Sequence, residues 1–119
     1  MTEFVLVSIG GFFGAICRYA ISRKVNEKGN GRFPAGTLTV NLLGAFLLGI
    51  LLGAKITGPM YILLGTGFMG AFTTFSTFKL ESEKLRLSGL RKYLSIYLVS
   101  TYIGGFLLAF FGIIIGKSL

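Results

Sequence analysis

Between Gly70 and Phe78 the chain reads Gly-Ala-Phe-Thr-Thr-Phe-Ser-Thr-Phe, which sets four hydroxyls and three aromatic rings side by side without a charge. The chemistry open to such a set is coordination. Hydroxyls give and take neutral hydrogen bonds, and the positive rim of a phenyl ring can face an anion without carrying a full charge. The stretch closes a segment apolar enough for a bilayer, where an unbroken helix has little use for so many polar, β-branched residues preceded by glycines. A discontinuous helix lining a cavity does have a use for them. These residues point to a pore lining, and so to transport.

Other polar residues fall inside apolar runs. Thr37 and Asn41 are four apart and share a helix face. Hydrocarbon would leave the Asn41 amide unpaired, so it must meet another helix, water or a ligand. Tyr97 and Thr101 form a hydroxyl stripe with Ser100 beside them and Tyr93 a turn earlier; such hydroxyls either bond back to their own helix or serve a path. Phe75 and Phe78 are three apart, with both rings on one side of a helical turn. Core packing is the ordinary role of such a pair, but Thr73, Thr74, Ser76 and Thr77 make this seam unusually polar. For a small, strongly hydrated anion, neutral donors and ring edges replace water and still release the ion, where a lysine would trap it. A helix broken near Gly70 to Thr74 also gathers freed carbonyls, which suit a cation such as Na⁺.

What is missing narrows the field. There is no histidine or aspartate, and Glu3, Glu27, Glu81 and Glu83 all lie outside the apolar runs or at their ends. Proton-coupled antiport is expected to place an ionisable residue within the bundle, and none is available. An acid–base or metal-dependent enzyme is disfavoured for the same reason, so the chain is read as a non-enzyme. Cys17 is the one cysteine and reads as a small packing residue.

The elements that must position these residues follow from hydropathy. The 119 residues are 53% hydrophobic, and charges are absent from Phe33 to Ala54, Ile56 to Phe78 and Tyr93 to Gly116. Each run reaches roughly 33 Å or more as a helix. With a less clean run over 4–21, whose Arg18 must snorkel or face protein, this predicts one all-α membrane domain with spans at about 4–21, 33–54, 56–78 and 93–116. Phe4 to Cys17 is not a signal-peptide core, since no basic residue precedes it and no small-residue cleavage pattern follows. The net charge of +8 sits mainly in two connections, around Arg18, Arg23, Lys24, Lys28 and Arg32 and around Lys79, Lys84, Arg86, Arg91 and Lys92, with only Lys55 and Lys117 opposite. Topology explains this better than nucleic-acid binding does: the first and third loops are expected in the cytoplasm and both termini outside.

Gly10/Gly14, Gly49/Gly53 and Gly112/Gly116 have the spacing that lets helix backbones touch, within the chain or at a dimer seam. Gly29-Asn30-Gly31 reads as a turn; Pro34 and Pro59 suit first helical turns. Lys79 to Lys92 mixes leucines with charges, as a short helix lying on anionic headgroups would. No repeat with a period of 20 to 50 residues is evident.

Four segments together carry a resemblance: residues 10–19 (GGFFGAICRY), 36–44 (GTLTVNLLG), 67–78 (GFMGAFTTFSTF) and Glu81. Along its whole length the chain resembles the Fluc (CrcB-type) fluoride channels. The resemblance implies a passive channel that exports fluoride across the prokaryotic cytoplasmic membrane, built as an antiparallel dimer of four-helix subunits with the third helix broken. It implies Phe75 and Phe78 as pore phenylalanines, Asn41 as a fluoride-coordinating amide, and Ser76, Thr77 and Thr37 as pore-side hydroxyls. Tyr97 and Thr101 resemble the family's hydroxyl track, shortened here by Gly105. Arg18 and Glu81 would face the vestibules, and the main-chain carbonyls of Gly70 and Thr73, doubled by the partner, would hold a central Na⁺. A homodimer of oppositely inserted copies calls for balanced loop charge, and the bias here suggests pairing with an oppositely oriented paralogue instead. The alternatives are a non-conducting structural subunit of such a pair and a small multidrug-type exporter. The latter needs a carboxylate within the first span, where only Glu3 stands at its very start.

Overall fold

A computed structural model of the chain describes residues 1–29 and 33–119; the Gly29-Asn30-Gly31 turn lies only in part within them, and Arg32 lies outside. The regular elements among the described residues are all helical. We number them α1 (Thr2–Lys28), α2 (Ala35–Gly53), α3 (58–72), α4 (Ser76–Leu87) and α5 (Arg91–Lys117). α1, α2 and α5 are each long and apolar enough to cross a bilayer. The run over 56–78, expected as a further span, is not one helix: α3 stops at Phe72, Thr73 is extended at φ −86° and ψ 159°, and α4 begins at Ser76.

Helix ends depart from the hydropathy reading where charge and capping decide them. α1 continues past Ile21 to Lys28, so Arg23, Lys24 and Lys28 ride on a helical extension rather than a loop, with Arg23 paired to Glu27 at 3.2 Å. Twenty-seven residues reach roughly 40 Å, longer than the hydrocarbon core. Pro34 caps α2 instead of entering its first turn, its carbonyl accepting the Leu38 amide at 3.2 Å. The short helix expected over 79–92 begins earlier and ends earlier, as the part of α4 from Lys79 to Leu87. A turn with Gly89 at φ 75° then leads into α5. There the Gly89 amide bonds the Arg86 carbonyl and the Leu90 amide the Leu85 carbonyl, closing the end in the way a left-handed glycine permits. Packing decides this outcome, since Phe78 and Leu85 on one face of α4 are buried against Tyr97.

Two glycine seams hold the bundle. A Cβ on Gly10 or Gly14 would strike the α3 backbone at Leu63 or Phe68, and one on Gly49 or Gly53 would strike the α5 backbone at Ala109 or Ile113. Gly112 and Gly116 return the second contact against Phe46 and Ile50. The three small-residue pairs therefore serve packing within the chain. In lipid, where the tails are as apolar as leucine, such close approach replaces the hydrophobic drive. Val40, Leu51, Met69 and Phe72 form one buried cluster between α2 and α3; Phe78, Leu85 and Tyr97 form another between α4 and α5.

Two stretches are π-helical: Ile62–Met69 within α3 and Ser100–Gly104 within α5. Bonds from residue i to i−5 widen a helix and turn its side chains away from α-helical positions, a geometry found often at functional sites.

Candidate functional site

Everything in the candidate site hangs on the interval between α3 and α4. The Asn41 side chain on α2 reaches it with two bonds: Nδ2 donates to the Thr74 carbonyl at 2.9 Å, and Oδ1 accepts the Thr74 amide at 2.9 Å. An interhelical bond was the ordinary role open to Asn41, and the structure shows it. The amide still keeps one N–H and one lone pair. Thr73 closes α3 by bonding Met69 O through both its amide and its hydroxyl, at 3.0 and 2.9 Å. The Thr74 hydroxyl accepts the Thr77 amide at 3.3 Å and lies 3.1 Å from the Thr77 hydroxyl, tying the interval to the first turn of α4.

These bonds also redirect two carbonyls. In an unbroken helix the Thr74 amide would bond Gly70 O and the Thr77 amide would bond Thr73 O. Here the first goes to Asn41 and the second to the Thr74 hydroxyl. Gly70 and Thr73 are the residues whose carbonyls were expected to face a cation, so the donor set fits a hard monovalent ion. One chain offers two such oxygens, too few for a complete shell.

A cavity of about 450 Å³ opens beside the interval, lined by Asn41, Gly44, Thr66, Gly70, Thr73, Thr74, Phe75, Phe78, Thr101, Tyr102 and Gly105 among others. A Cβ on Gly70 or Gly105 would meet nothing within 4 Å, so these glycines keep its wall open. Phe75 and Phe78 are neighbours with centroids 6.1 Å apart, the former 68% exposed and the latter 6%. Phe78 packs against the Tyr97 ring at 5.2 Å and takes Tyr102 edge-on at 5.9 Å.

Beyond Phe78 the polar row continues on buried groups. Tyr97 is fully buried with its hydroxyl near that of Thr37 but not in a well-aligned hydrogen bond, and the Thr101 hydroxyl has no partner among the described residues. Near Tyr97, the buried Thr37 hydroxyl donates to the Glu81 carboxylate. Glu81 in turn lines a second cavity of about 500 Å³ with Asn26, Lys84 and Ser88. Asn41, Phe75, Phe78 and Thr101 thus share one cavity, and Phe78, Tyr97, Thr37 and Glu81 form a row of neighbours from it to the second. Ser76 is exposed and Thr77 is engaged with Thr74; neither lines these two cavities. Arg18 is half-buried on α1 and lines neither cavity. At the exposed end of α4, the hydrogen bond from Arg86 holds the Glu83 carboxyl below its ordinary range, a surface pairing apart from the row.

Thr74 was named in the sequence for its polarity, and its hold on the Thr77 amide adds to that; three further contributors were not singled out. Lys84 gave no signal beyond its charge. Thr66 and Tyr102 sit in the π-helical stretches, and those have no sequence signature.

The family model described as "CrcB-like protein, Camphor Resistance (CrcB)" matches residues 5–113. A protein named fluoride-specific ion channel FluC 2 from Bacillus thuringiensis subsp. konkukian is 51% identical over 116 residues, 98% of each chain. One named FluC 1 from Geobacillus kaustophilus is 49% identical over 113 residues, 95% of this chain and 97% of the relative. One named FluC 1 from Listeria monocytogenes serotype 4b is 44% identical over 117 residues, 98% of each chain.

Proposed function

This chain belongs to the CrcB-like family, and we propose that it is a fluoride channel, a multi-pass protein of the cell membrane that lets fluoride leave the cytoplasm passively. The observation that carries the reading is the pair of buried hydroxyls around Phe78: that of Tyr97, whose ring lies 5.2 Å from the Phe78 ring, and that of Thr101, which lines the same cavity as Phe78 and has no partner among the described residues. A buried donor without a partner costs stability, about 1–3 kcal/mol each. An anion passing along the row supplies the missing acceptor.

Ion coordination is the whole of the work. Fluoride entering the cavity beside the α3–α4 interval exchanges water for the free N–H of Asn41, the Thr101 hydroxyl and the ring edges of Phe75 and Phe78. All are neutral, so each holds the ion firmly enough to offset part of its hydration and loosely enough to pass it on. Thr37 and the Tyr97 hydroxyl continue the path toward Glu81. The Thr37–Glu81 bond occupies the donor that the ion needs there, so Glu81 must yield as fluoride passes. Arg18 raises the potential at a vestibule.

In this reading α3 and α4 are two halves of a broken third span, with the carbonyls of Gly70 and Thr73 holding Na⁺. When bound, that ion supplies a fixed positive charge at the break. Two carbonyls per chain make half a site, and an antiparallel second subunit completes it. The loop-charge bias favours an oppositely oriented paralogue over a second copy in that place.

A bacterial strain stripped of its own fluoride exporters tests the function in cells. Expression of this chain, alone or with a paralogue, restores growth at inhibitory fluoride if the reading holds; unchanged sensitivity in both cases, with the protein present in the membrane, refutes it.

A further inference from the structure

The row described above leaves one wall of the cavity beside the α3–α4 interval without a role. Thr66 lines that cavity from α3 while Thr101 lines it from α5, and each belongs to a π-helical stretch. Ser and Thr side chains on these helices commonly bond back to the carbonyl four residues earlier: Thr39 to Ala35 at 2.8 Å, Thr73 to Met69 at 2.9 Å and Ser8 to Phe4 at 2.6 Å. None of Thr66, Ser100 and Thr101 makes such a bond among the described residues. Geometry gives the reason. In a π-helix the carbonyl accepts from i+5 and the wider turn carries it away from the side chain at i+4. The π turns thus free hydroxyls that an α-helix would occupy.

We propose that Thr66 is a further ion-contacting residue of the pathway, its hydroxyl acting with that of Thr101 as a donor to fluoride in the cavity beside the α3–α4 interval. Three observations converge. Thr66 is exposed to the cavity, bracketed by Gly65 and Gly67, so no neighbouring Cβ on the chain screens it. Thr101 lines the same cavity from α5, and its hydroxyl, set just behind that wall, has no partner among the described residues. The free N–H of Asn41 supplies a third donor from α2. Neutral N–H and O–H groups from three helices suit a small anion that has shed its water. The inference rests on the fluoride-channel reading and adds a residue to it.

The test compares Thr66→Val, which keeps shape and removes the donor, with Thr66→Ser, which keeps the donor, in liposomes loaded with fluoride beside the wild-type protein. Two quantities are read: the rate of efflux per active vesicle and the fraction of vesicles that empty. Loss of one hydrogen bond to a charged ion is expected to slow Thr66→Val efflux about tenfold, with Thr66→Ser within about twofold of wild type and the active fraction unchanged in both. Equal rates for Thr66→Val and wild type overturn the proposal. A smaller active fraction at an unchanged rate overturns it too, since that is the mark of a folding role. Wild-type vesicles that hold their fluoride, even with a co-expressed paralogue, overturn the channel reading itself and the proposal with it.

Discussion

Asn41→Asp separates the two duties of Asn41, tying the break and facing the ion. The wild-type amide both gives a hydrogen bond to the Thr74 carbonyl and takes one from the Thr74 amide, each at 2.9 Å. An aspartate keeps the accepting half and loses the donating half, so Thr74 O gives up one bond. Interhelical bonds in membranes contribute about 0.6 kcal/mol on average and at most about 1.7; the fold should lose about 1 kcal/mol and survive. Permeation suffers far more. A carboxylate about 4 Å from a fluoride ion at an effective dielectric constant of about 20 raises its energy by about 4 kcal/mol. That corresponds to roughly a thousandfold loss of rate. The assay is fluoride efflux from liposomes together with size-exclusion chromatography in detergent. Normal elution with efflux reduced at least a hundredfold is the expected outcome. Efflux within threefold of wild type from normally eluting protein would remove Asn41 from the ion path and leave it a purely structural clamp.

Tyr97→Phe removes a buried hydroxyl that is in no well-aligned hydrogen bond, so thermal stability in detergent should stay equal or rise, while fluoride efflux should fall about tenfold; the two together exclude a structural role for the hydroxyl. Gly14→Ala drives a Cβ into the Phe68 backbone whereas Gly105→Ala meets nothing within 4 Å. The first should cost about 1–3 kcal/mol and the second less than about 0.5, measured as thermal aggregation in detergent. A reporter on the C-terminus should label one side of the membrane only, the outside, because ten of the twelve cationic residues flank the first and third connections. Substantial labelling of both sides would favour a dual-topology homodimer.

The spans were legible because uncharged runs longer than a bilayer leave few alternatives, and α2 and α5 fall close to the runs that announced them. Charge misled at the edges. Arg23, Lys24 and Lys28 looked like a loop but extend α1 beyond the hydrocarbon, where water solvates them and helix propensity decides. Glycines and β-branched threonines flagged the interval at Thr73, yet what holds it is a pair of bonds from Asn41, 33 residues away, and a side chain's partner on another helix leaves no trace in spacing. The glycine pairs were legible as close contacts, but not which helices would meet. The π turns were invisible, since they come from packing between helices rather than residue type, and they hid Thr66 and the freedom of the Thr101 hydroxyl.

Selective conduction is the claim on which the rest depends. The direct measurement is efflux from liposomes reconstituted with this chain, alone and with a co-expressed paralogue, loaded with fluoride in one preparation and chloride in the other. Rapid loss of fluoride with chloride retained is the result the account predicts. Retention of both ions by correctly folded protein in both preparations, or equal loss of both, would contradict it.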